Sequence, residues 1–242
     1  MSGIDSLAST RSLFEFALVG LALFVLPALS LFYGFRSARE RRVGSDQLIA
    51  RYFRTMLRGW VVAGAVLLAW KLAGRPFDQL GLGWPPEPLG AAAIAVAAAA
   101  VGILAWQVTF GVRPSEKDLA GWKRQLDALK LAPRNARELL VFIPVSVTAG
   151  VWEELFYRGF LMWFFAPLAG VFGSIVITSI IFGAGHAYQG WKGVVRTTFA
   201  GAFFATGYAL TGSLWWLMIL HAAVDVFAGV LAWRVYSMHR NA

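Results

Sequence analysis

Apolar stretches of helix-spanning length recur along the whole chain, at roughly 13–35, 59–74, 89–111, 139–165, 170–188, 194–211 and 213–234. About 20 such residues cross a bilayer as a helix. In hydrocarbon, every backbone N–H and C=O must find its partner within the structure, which leaves helices or closed barrels. Stretches of this length are helical. Only 14% of the residues are charged, against about a quarter in soluble domains. The sequence therefore predicts an all-α, polytopic membrane helix bundle of about seven transmembrane helices. No repeat or low-complexity linker divides residues 1–242, which read as one integral membrane domain. The leader before the first stretch lacks a strongly basic region and the stretch is too long for a signal-peptide core, so it reads as a retained helix.

The chain has no cysteine, which removes disulfides, thiolate nucleophiles and Cys-ligated zinc. A net charge of +9 raises the question of nucleic acid. The basic residues instead fall between apolar stretches, as topology signals do, and no nucleic-acid partner is expected. Segments 36–58 and 113–137 are both rich in Arg and Lys, whereas the intervening RPFDQLGLGWPPEP has one Arg and two acids. Lys/Arg bias then puts both basic segments in the cytoplasm. Continued alternation places Lys192, Arg196 and the tail with Arg234 and Arg240 there too. The expectation is a multi-pass protein of the cell (inner) membrane, N-terminus outside and C-terminus cytoplasmic. Within the first basic segment, DQLIARYFRTMLRGW fits either a surface-lying amphipathic helix or an extension of the second span.

Three of the apolar stretches carry ionisable groups, which are costly at membrane depth and normally face the bundle interior for a purpose. Glu153, Glu154 and Arg158 stand in one, His186 in the next, and His221 with Asp225 in the last. Together they predict a polar intramembrane cavity. On a helix Glu154 and Arg158 lie one turn apart and can pair, while Glu153 points about 100° away. One carboxylate is thus neutralised and the other left to the cavity, as a general base requires. Phe182 precedes His186 by one turn and can pack beside it. His221 and Asp225, at i and i+4, share a helix face. Asp225 can orient the imidazole or supply a second polar contact. Two chemistries fit these residues. In one, Glu153 activates water with His186 assisting, and His221 and Asp225 hold the carbonyl oxygen or orient the substrate, His221 being the better oxyanion donor. In the other, His186 and His221 with a carboxylate hold a zinc ion that keeps an open position.

EExxxR at 153–158, FxxxH at 182–186 and HxxxD at 221–225 together resemble the three motifs of the CPBP family. These are the CAAX proteases and bacteriocin-processing (Abi) proteins, with the Rce1-type prenyl-protein endopeptidase as one branch. The resemblance covers about the last hundred residues and implies a catalytic core at about 138–235. LGLGWP at 80–85 resembles a segment that precedes that core in the family. The resemblance implies a multi-helix fold with a cavity open to membrane and cytosol. It also implies an intramembrane endopeptidase acting on a membrane-associated or prenyl-type (CAAX-like) protein or peptide. Glu153 maps to the base, Glu154 and Arg158 to its support, His186 to the second motif, and His221 and Asp225 to the third. The Rce1 branch usually has Asn at the last position, so Asp225 departs from that branch. No cofactor is expected in the glutamate version; the metal-dependent version takes zinc at His186 and His221. The same charges also suit a non-catalytic immunity or scaffold protein, or a transporter.

Overall fold

The computed structural model describes residues 12–39, 43–84, 88–107 and 116–241. The leader, Arg41, Arg42, Pro85, the 108–111 end of the third stretch and Arg113 lie outside them. Among the described residues the protein is helical throughout, without a strand. The helices are α1 (Leu13–Gly20), α2 (Leu26–Arg39), α3 (Ser45–Leu72), α4 (Pro88–Trp106), α5 (Glu116–Leu129), α6 (Ala136–Glu153), α7 (Met162–Gly185), α8 (Trp191–Thr211) and α9 (Trp215–Asn241). Two π-helical turns, Leu21–Val25 and Glu154–Leu161, join α1 to α2 and α6 to α7.

Five stretches of the described residues are long and apolar enough to cross a membrane. One of them, Ala136–Gly185, would measure about 75 Å as a straight helix, far beyond a bilayer core of about 30 Å. It holds two crossings. The chain turns at Gly170, whose φ of 69° and ψ of 174° belong to a region that essentially only glycine enters. Beyond it Phe182 comes back to meet Tyr157, ring centroids 5.0 Å apart. With α8 the described residues form a polytopic bundle of seven long helices, and the protein is a multi-pass membrane protein.

The first half of α3 settles the alternative left open for DQLIARYFRTMLRGW. It continues into the second span as one 28-residue helix, so that span begins at Ser45 and not near residue 59. Leu48 and Tyr52 on its inner face are buried with Val145 of α6, and Phe142 packs against them. At the start of α1, Ser12 Oγ accepts from Glu15 N while Glu15 Oε2 accepts from Ser12 N, a reciprocal cap that satisfies otherwise orphaned donors. Glu15 is fully buried and ion-paired with Arg75, which locks α1 to the end of α3.

α7 packs along α8, α9 packs against both α6 and α4, and α3 packs on α6. The main core gathers Trp70, Leu155, Phe156, Phe160, Leu161 and Leu217. Large apolar side chains such as Phe24, Leu72, Phe172 and Phe199 point outward, where the solvent is lipid. Two ends are distinct. At one, Tyr52 Oη donates to Leu131 O (2.6 Å), Arg137 pairs with Asp46 (2.9 Å) and Tyr236 Oη donates to Asp127 (2.8 Å). Both basic segments thus share that end. The 187–189 turn packs on α2, where Tyr188 N donates to Ser30 Oγ in the first half of that helix. At the other end Leu214 N donates to Gly81 O (2.9 Å) and Trp215 Nε1 to Gly83 O (3.1 Å).

Candidate active site

Glu153 closes α6 and Glu154 opens the π-helical turn, so the adjacent glutamates belong to windings of different pitch. Single π turns inside α-helices recur at functional sites. All eight residues of this turn, Glu154–Leu161, are buried. Glu154 and Arg158 keep the pairing that their spacing suggests: Arg158 Nη1 lies 2.9 Å from Glu154 Oε1, with the two side chains 0–1% exposed. Arg158 also lies against aromatic faces, its Cζ 4.4 Å from the Phe182 ring centroid and 5.3 Å from that of Phe204. These rings bury the guanidinium without competing for the carboxylate.

Glu154 Oε1 has a second partner, His221 Nδ1 at 2.6 Å. α9 comes this close because residue 150 of α6 is glycine. A Cβ there would stand 2.8 Å from Met218 O and 2.9 Å from Ala222 N. A carboxylate only accepts, so the Nδ1 of His221 carries a hydrogen and its Nε2 is turned to Glu153, 3.8 Å from Oε2. Asp225 Oδ2 is 3.9 Å from His221 Nε2, too far for a hydrogen bond. The group that orients His221 is therefore Glu154 rather than Asp225.

α7 ends at Gly185, and His186 follows as its C-terminal cap residue. His186 Nδ1 is 2.8 Å from Phe182 O. A carbonyl only accepts, so Nδ1 donates, and in the neutral ring Nε2 is left as the acceptor. That Nε2 lies 4.0 Å from Glu153 Oε2. Phe182 packs its ring on His186 as well, centroids 4.6 Å apart. Glu153 Oε2 is buried and has no hydrogen-bond partner, although two imidazole nitrogens flank it.

Glu153, Glu154, Arg158, His186, His221 and Asp225 thus come from three helical regions to one place. Glu153 and His186 also line a cavity of about 470 Å³, with Tyr157 and Tyr188 beside them. His221, Glu154 and Asp225 are not among its lining residues. Most of the rest of the wall comes from α2 and α3, including Arg54 and Arg58. In the sequence these arginines belong to the basic segment 36–58, a topology signal rather than part of the site. Neither the π turn nor Tyr157 left a sequence signal. Among the described residues, no three His, Asp or Glu side chains are arranged to hold a metal ion.

Fold and site together define a multi-pass membrane protein with a buried carboxylate–imidazole site at the wall of an open cavity. Residues 135–227 match the family model of type II CAAX prenyl endopeptidase Rce1-like proteins. That segment contains all six site residues, and over it the chain is similar to the CPBP/CAAX proteases. No curated protein and no solved structure matches the chain. The family is one of proteases, whose substrates are proteins or peptides at a membrane.

Proposed function

We propose that the chain is an intramembrane endopeptidase that hydrolyses a peptide bond of a membrane-associated or prenyl-type substrate, with Glu153 as metal-free general base. The observation that carries this reading is the partnerless Glu153 Oε2 at the cavity wall, beside His186 Nε2 at 4.0 Å. A water hydrogen-bonded at about 2.8 Å to both atoms would subtend roughly 90° between them, close to its own bond angle. Glu153 takes one proton from that water and His186 Nε2 accepts the other hydrogen, which aims the oxygen at the substrate carbonyl. The new C–O bond forms, the C–N bond breaks, and Glu153 returns its proton to the departing amine.

Glu154, held by Arg158, fixes the His221 ring, which stands next to Glu153. Because His221 does not line the cavity, it acts in this proposal as a positioning residue for Glu153. That replaces the oxyanion role its spacing suggested. The basic end of the bundle is the cytoplasmic end by the Lys/Arg rule, so the cavity opens toward the cytosol and the C-terminus lies there.

The test is cleavage of a fluorogenic library of prenylated and unprenylated peptides by purified protein, with and without chelator. Glu153→Gln should lower cleavage by about 10²–10⁴-fold while the thermal melt is unchanged, and chelation should change nothing. Full activity of Glu153→Gln refutes the reading. Loss on chelation, restored by zinc, transfers the chemistry to a metal held by His186 and His221.

A further inference from the structure

Four arginines line the same cavity as Glu153 and His186: Arg36 from α2, and Arg51, Arg54 and Arg58 from α3. Among its described lining residues Glu153 is the one acid. Positions 51, 54 and 58 follow i, i+3, i+7, which keeps them on one face of α3. Over those seven residues the helix rises about 10 Å, as far as three residues of extended peptide. The deepest rung stands near the chemistry. Gly59, next to Arg58, packs against Trp152, next to Glu153, so closely that a Cβ would meet the indole at 2.5 Å.

A ladder of cations at one end of a bundle also fits lipid headgroups, to which long side chains reach from a shallow depth. Arg58 argues against that use. Its Nη2 donates to Tyr33 Oη of α2 at 2.7 Å, and Tyr33 lines the cavity as well. The bond holds the guanidinium against α2 at the cavity wall rather than free to reach outward. Guanidinium groups match carboxylates in a planar, two-pronged fashion, and the cavity wall between α2 and α3 presents them along the path to Glu153.

We propose that Arg54 and Arg58, with Arg51 and Arg36 above them, form a specificity subsite that binds a substrate carboxylate within about three residues of the bond cleaved. The enzyme so selects acidic peptide segments. This inference rests on the protease reading for its purpose, but its test does not.

Binding is measured by fluorescence anisotropy on the Glu153→Gln protein, which separates recognition from cleavage. Three labelled peptides differ only in the carboxylate: an amidated peptide with Glu near the cleaved bond, its Gln counterpart, and the Gln peptide with a free C-terminus. The Glu peptide, the free acid or both should bind about tenfold or more tighter than the amidated Gln peptide. Whichever carboxylate discriminates identifies its source as side chain or chain terminus. Adding Arg54→Gln with Arg58→Gln should erase the difference. Arg54→Glu should reverse it, favouring a Lys peptide, which a merely misfolded variant would not do. Equal binding of all three peptides overturns the proposal. So does a ladder whose substitution changes only the binding of phosphatidylglycerol in nanodiscs. Discrimination in binding with no cleavage of any peptide by the wild type would leave the subsite standing and remove the protease reading.

Discussion

Replacing Glu154 by leucine should cost more stability than replacing Arg158 by leucine, and the difference follows from what each change strands. Glu154 Oε1 serves two partners, Arg158 Nη1 at 2.9 Å and His221 Nδ1 at 2.6 Å. Without the carboxylate, a buried guanidinium retains a long 3.4 Å contact to Gly201 O and its aromatic neighbours. Removing one partner of a buried ion pair costs about 3–5 kcal/mol. Arg158→Leu leaves Glu154 still bonded to His221, so the loss is nearer the 1.5–3 kcal/mol of a charge-assisted hydrogen bond. The double variant removes both charges and leaves apolar side chains among Phe182 and Phe204. It should cost at least about 2 kcal/mol less than the two single variants summed. The assay is reversible unfolding in mixed micelles followed by tryptophan fluorescence, as a double-mutant cycle. Additivity within about 0.5 kcal/mol, or a larger loss for Arg158→Leu, would refute the reasoning.

Gly170→Ala should destabilise the turn by about 1–3 kcal/mol through backbone strain alone, since a Cβ there meets nothing within 4 Å; a wild-type melting temperature would contradict that. A Cβ at Gly183 would overlap Thr198 Oγ1 and stand 3.0 Å from Val194 O. Gly183→Ala should therefore separate α7 from α8 at a cost of about 1–3 kcal/mol. Thr198→Ala in the same chain should recover part of that loss, whereas no recovery would mean that the backbone of α8 sets the contact.

Much of the site was legible because its residues break a rule of their surroundings. Glu153, Glu154, Arg158, His186, His221 and Asp225 stand in apolar stretches, where charge is costly, so composition alone singles them out. The pairing of Glu154 with Arg158 was legible too, being local to one helix. The bond from His221 to Glu154 was not. The i, i+4 spacing offers that imidazole only Asp225, four residues away on its own helix. The partner 67 residues away depends on how closely α9 approaches Gly150. The arginines at 51, 54 and 58 read as a topology signal or a surface helix. Nothing local says that α2 and Glu153 complete a cavity around them.

Helix number, the alternation of ends and the identity of the charged residues are properties of the sequence by itself, because hydropathy and loop charge act residue by residue against the bilayer. Tertiary structure alone decided that the run 136–185 folds back at Gly170, that the adjacent glutamates separate at a π turn, and that Glu153 rather than Glu154 faces the cavity. Those outcomes depend on which helices pack together and how closely, and close packing is a relation between surfaces far apart in the chain.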